Sequence, residues 1–142
     1  ASWSSAASAG VYARGVWTPT LVCAGCTFSY AQQSGTYVRI GDLVSVDYRI
    51  QLNTSGNTLA ANPLTITALP FATTNDVVWD MNFFNTTTSY TKMTGRASAA
   101  TTIVVGGMTG AGTSSIGVIN GNAALHATNG TILWGMVTYA TN

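Results

Sequence analysis

Cys23 and Cys26, separated by Ala24-Gly25, have the spacing of a redox couple or of half a zinc site. A structural zinc takes four protein ligands, and His126 is the one imidazole left to join the two thiols. A dithiol redox motif belongs in a βαβ context, which the flanking residues do not provide. The spacing therefore predicts a tight turn around Gly25, holding a local disulfide or two plain thiols and no metal. His126 is also the one histidine available to a Ser–His–Asp triad, yet no Gly-x-Ser-x-Gly elbow is present. Ser114-Ser115 lies in a glycine-rich stretch, a poor support for a nucleophile. The carboxylates are Asp42, Asp47, Asp76 and Asp80, with no glutamate. Glycoside hydrolysis needs two carboxyl groups on opposite sides of the sugar bond. Asp76 and Asp80, at i and i+4 on one strand face, are roughly 13 Å apart by strand rise. With Asn82 they offer oxygens to calcium, but not at the spacing of an EF-hand loop. Gly106–Gly112 lacks the Lys-Ser/Thr of a phosphate loop and reads as a plain flexible loop. The expectation is a non-enzymatic protein with no catalytic residue, metal or cofactor.

Binding chemistry is better represented. A pyranose ring has an apolar face, so saccharide sites set an aromatic platform beside amides and hydroxyls. Trp79, Phe84 and Tyr90 with Asn82, Asn85 and Lys92 supply these types within one short stretch. Trp79 and Phe84 fall in an apolar run and are expected in the core. Tyr90 and Lys92, in a polar, threonine-rich stretch, are expected at the surface. The candidate receptor-binding residues are thus Tyr90, Lys92, Asn82 and Asn85.

Strands must position these groups. Only 6% of the 142 residues are charged, against a usual fraction of about a quarter, and Thr, Ser and Asn supply the polarity. Such a chain is poor in helix formers and rich in β-branched and turn residues. From Asp42 to Leu52 apolar and polar residues alternate, with Val44, Val46, Tyr48, Ile50 and Leu52 against Ser45, Asp47, Arg49 and Gln51. That period marks a half-buried strand, its charged side facing solvent or a neighbouring subunit. Further strands are predicted over Val11–Leu21, Phe28–Gln32, Tyr37–Ile40, Leu64–Leu69, Tyr90–Met93, Ala97–Val105, Ile116–Ile119 and Ile132–Tyr139. A turn is predicted at Gln33-Ser34-Gly35, and Val77–Phe84 reads as a strand covered on both faces. With no helical segment, the spacing predicts one all-β domain over 11–142, an antiparallel β-sandwich or jelly roll. Ala1–Gly10 reads as a flexible lead-in from a longer protein. The net charge of +1 and the absence of a basic run argue against nucleic acid as a partner. No apolar window approaches the roughly eighteen residues of a membrane helix.

Three phrases carry a family resemblance. Gly15-Val16-Trp17-Thr18-Pro19-Thr20-Leu21 resembles the opening of many bacteriophage tail-fibre and tailspike C-terminal domains. Gly35-Thr36-Tyr37-Val38-Arg39-Ile40-Gly41-Asp42-Leu43-Val44 resembles the Gly-x-Tyr-Thr-Arg-Ile-Gly-x-Leu-Val phrase that follows there. Leu69-Pro70-Phe71 is similar to a later turn, and Met136–Thr141 to the closing strand. The resemblance covers residues 15–72 well, 130–142 loosely and 73–129 not at all; Cys23 and Cys26 stand where the family has Ser, Thr or Gly. It implies a jelly-roll-like sandwich in a homotrimer on the virion, with partners among other virion proteins and a bacterial cell-surface glycan or other host receptor. It also allows a capsid decoration or head-fibre domain without receptor activity. The binding surface is expected within the unmatched residues 73–129.

Overall fold

The computed structural model describes residues 12–110 and 117–142. The readings made for Ala1–Gly10 and for Ser114-Ser115 lie outside these residues. Among these residues ten strands follow one another: β1 (Tyr12–Trp17), β2 (Thr20–Val22), β3 (Tyr30–Ile40), β4 (Leu43–Leu52), β5 (Thr65–Thr67), β6 (Asp76–Phe84), β7 (Lys92–Ser98), β8 (Ile103–Met108), β9 (Gly117–Val118) and β10 (Ile132–Ala140). Among the described residues one helical turn, α1 (Gly121–Ala124), precedes β10. Among the described residues no helix is long and apolar enough to cross a membrane.

The protein is all-β and antiparallel. Hydrogen bonding runs through one curled sheet in the order β1-β3-β4-β10-β6-β7-β8-β5-β2, with β9 added to β8. The two end strands, β1 and β2, are consecutive in the chain and separated only by Thr18-Pro19. Gln33 Nε2 on β3 donates to Pro19 O (3.0 Å), and Leu21 N on β2 donates to the Tyr30 hydroxyl (3.0 Å). The sheet therefore wraps around its own core. β4 supplies the centre of that core, its five apolar side chains from Val44 to Leu52 each 3% exposed or less. Leu64, Ile66, Met93, Ile103, Val105 and Leu133 close around them, and the buried polar residues among those described are all threonines.

Glycines decide how the large aromatics fit inside. Trp17 pairs with Gly35 and Tyr37 with Gly15 across β1 and β3. A Cβ at Gly35 would stand 2.5 Å from the Trp17 indole, and one at Gly15 would stand 2.9 Å from the Tyr37 hydroxyl. Each Gly-x-aromatic phrase thus lays its ring over the glycine of the other. Tyr48 over Gly135 and Trp79 over Gly95 repeat the device. An aromatic on a cross-strand glycine fills the space that the missing side chain leaves.

The remaining resemblance phrases meet at one end of the sheet. Arg39 lies 4.8 Å from the Phe71 ring centroid, and Tyr37 meets the same ring edge-on at 5.5 Å. The Tyr139 hydroxyl donates to Phe71 O at 2.7 Å, and Arg39 reaches Gly41 O and Asn142 O. Burial pushes the Tyr139 phenol up to about 12.

Several sequence expectations are corrected. β3 runs unbroken through Gln33-Ser34-Gly35, because Gly35 is required beneath Trp17 and not at a turn. The β7–β8 turn falls inside the segment 97–105 predicted as one strand, with Ala99 at a positive φ of 47°. Gly106 and Gly107 belong to β8 and not to a loop, Gly107 lying beneath the Tyr90 ring. Residues 121–124 form a helical turn where no helix was expected. Phe84 is 56% exposed and Val78 59%, so β6 is covered on one face only. The alternation of Trp79 and Met81 inward with Val78 and Phe84 outward is a half-buried pattern whose outer side happens to be apolar.

Candidate functional site: a cleft on the outer sheet face

The outward residues of β4 lie in rows that cross the sheet. Arg49 stands opposite Ser34 on β3 and Trp134 on β10, and Trp134 stands opposite Asn82 on β6. One row further, Asp47 lies between Thr36 and Met136. These two rows line an open cleft of about 470 Å³, to which Gly35, Tyr48 and Gly135 also contribute. That volume lies within the range of small-ligand sites, about 300–1,000 Å³.

Buried contacts hold the strands beneath the cleft. Tyr48 points inward between Asp47 and Arg49, and its hydroxyl accepts from Trp79 Nε1 at 3.0 Å. Burial raises the Tyr48 phenol well above its ordinary value. Trp17 Nε1 donates to Asp47 O at 3.0 Å, and the Trp17 ring meets Tyr48 edge-on at 5.9 Å. The cleft side chains therefore stand on a strand pinned from below by two indoles.

Within the cleft the polar groups are divided by role. Asp47 Oδ1 accepts from Thr36 N (3.0 Å) and Thr36 Oγ1 (2.8 Å), which fixes its carboxylate toward β3. The Arg49 guanidinium lies 5.9 Å from the Trp134 ring centroid. The ion pairs among the described residues, Lys92–Asp80 (3.2 Å) and Arg96–Asp76 (3.1 Å), leave Arg49 out. Hydrogen bonds from Ser98 and Arg96 lower the Asp76 carboxyl below its usual value. Trp134 is half-buried and Asn82 exposed. An indole surface, an amide, hydroxyls, a guanidinium and a carboxylate thus converge on one depression, the chemistry of binding to a polar ring compound.

Of the residues singled out from sequence, Asn82 reaches this cleft. Asn85 ends β6 at a positive φ of 59°; its Nδ2 donates to Asn129 O and its carbonyl accepts from Thr131 Oγ1. Tyr90 is half-buried, its ring packed over Gly107. Lys92 is exposed and paired with Asp80. Asp76 and Asp80 are both outward on β6, each in its own ion pair. Cys23 and Cys26 form a disulfide packed on Gly121. His126 Nδ1 accepts from Thr128 N within its own loop. Among the described residues no three His, Cys, Asp or Glu side chains gather to hold a metal.

The sequence reading assigns Asp47 and Arg49 to a solvent- or subunit-facing side rather than to a site, and singles out none of Ser34, Thr36 and Trp134 for binding. A signal for Trp134 was present. Leu133, Val137 and Tyr139 point inward from β10, so strand alternation alone turns Trp134 outward beside the charged side of β4.

A second zone occupies the other end of the same face. Tyr12, Ile40 and Leu43 lie side by side in one row and are 59%, 61% and 55% exposed. Val38, Val16 and Met136 are also exposed, but in rows shared with Arg14, Ser45 and Thr138 and with Thr36 and Asp47. No family model, no curated protein and no solved structure matches the chain.

Proposed function

We propose that this chain is a non-enzymatic virion domain of the phage tail-fibre or tailspike kind, which binds a host-surface saccharide through the outer cleft. The observation that carries the binding half is the row Ser34–Arg49–Trp134–Asn82, where an indole meets hydroxyl, amide and guanidinium groups across four strands. The virion half rests on the resemblance of the Trp17, Tyr37–Arg39 and Phe71 phrases, which form one contacting unit with the closing strand. A jelly-roll-like sandwich and a homotrimer are parts of the proposal. Three copies of a weak saccharide site on one particle add avidity without new contacts. Screening the purified protein against a bacterial glycan array, with its mass read by light scattering, tests it. Binding to a defined saccharide by a trimer supports the proposal; a monomer without saccharide binding contradicts it.

A second reading is a capsid decoration or head-fibre domain without receptor activity. It is favoured by the exposed row Tyr12, Ile40 and Leu43, since contiguous apolar surface of this kind marks interaction with protein. The same two measurements separate the readings, because this one expects self-association with no saccharide bound.

A further inference from the structure

We propose that the ligand of the outer cleft is an acidic saccharide whose carboxylate is held by Arg49. This rests on the saccharide reading of the cleft and names the class of sugar. Of the other cations, Lys92 and Arg96 are each matched to an aspartate, Arg39 is occupied by Gly41 O, Asn142 O and the Phe71 ring, and Arg14, opposite Val38 on β3, lies outside the cleft. Arg49 is held by the Trp134 ring alone among these contacts. A guanidinium at cation–π distance from an indole, with no carboxylate paired to it, keeps its N–H edge open to a bidentate carboxylate.

The neighbouring charges set the size and direction of the anion. Asp47 lies two residues along the same strand face, roughly 7 Å away by strand rise, with Oδ1 committed to Thr36. It repels an anion at that end, so the sugar carboxylate enters from the side of Ser34 and Asn82. Asp80, two residues from Asn82 on β6, is neutralised by Lys92. One guanidinium beside one carboxylate suits a monoanion and not a phosphate dianion, which calls for more positive charge. With the carboxylate on Arg49, the apolar face of the sugar ring lies toward Trp134, and its hydroxyls come within reach of Asn82 and the free oxygen of Asp47.

Calorimetric titration with a panel of hexuronic oligosaccharides, each paired with its methyl ester, tests this directly. The esters keep ring shape and hydroxyls while removing the charge. The expected result is about tenfold tighter binding of an acid than of its ester, weakening as salt rises. Arg49→Gln should bind both forms alike, and Arg49→Lys should restore part of the preference. If acid and ester bind the native protein equally, and Trp134→Ala weakens both, the acidic assignment is overturned while the saccharide reading stands. If no member of the panel and no neutral saccharide binds, both are overturned.

Discussion

Trp79 Nε1 donates to the Tyr48 hydroxyl at 3.0 Å across the core, joining β6 to β4 beneath the cleft. Two strands are thereby linked at the level where Asp47, Arg49 and Asn82 point outward. Tyr48→Phe leaves the indole N–H buried without its partner, which costs about 1–3 kcal/mol. Thermal unfolding should shift down by roughly 2–4 °C for each kcal/mol at this chain length. Trp134→Ala, outside the core, should shift it far less.

Glycine beneath aromatic is the second device open to test. Gly95→Ala drives a Cβ to 2.5 Å from the Trp79 ring, and Gly135→Ala drives one to 2.7 Å from the Tyr48 hydroxyl. Overpacking of this kind costs about 1–3 kcal/mol. Gly117→Ala, with nothing within 4 Å of the added carbon, is the matched control. Denaturant midpoints for the three variants should fall well below native for the first two and near native for the third.

The Cys23–Cys26 disulfide closes a loop of only three residues' separation. Chain-entropy reasoning gives about 2 kcal/mol for so short a loop. Reduction, or Cys23→Ser with Cys26→Ser, should lower the unfolding temperature by several degrees while the circular dichroism of the sheet persists.

Stability should be lost in alkali more readily than in acid. Tyr48 and Tyr139 have folded-state pKa values above the usual value of 10, Tyr139 reaching about 12. Their neutral forms are favoured by folding, so this contribution is complete below pH 10; the Tyr139 part is lost as pH rises through about 12, and the Tyr48 part at higher pH still. In acid, the exposed Asp76 is the carboxylate held below its ordinary value, so its contribution is lost only as pH falls through that lowered value. Unfolding temperature followed from pH 3 to 12 should be nearly flat through the acid range and drop steeply above pH 10.

How much of this was legible in the sequence depends on what each residue answers to. β4 was readable almost residue by residue, since strict alternation leaves one orientation for Val44 to Leu52. Gly35 was misread because the local rule for glycine favours a turn, whereas its role is set by Trp17, a partner in another strand. Phe84 and Val78 were placed in the core on hydrophobicity alone, although alternation with Trp79 and Met81 already pointed them outward. The cleft was legible only in halves. Arg49 and Asp47 were visibly on an outer face, and Trp134 was orientable by period two. Their adjacency arises from the pairing of β10 between β4 and β6, a non-local fact that spacing along the chain does not contain.

The saccharide-binding cleft is the central claim, and Trp134 is its most direct probe. Titration of native protein and Trp134→Ala with a saccharide identified on a bacterial glycan array should show affinity falling about tenfold or more in the variant. The unfolding temperature should stay within a few degrees of native. Equal affinity for the two proteins would contradict the account.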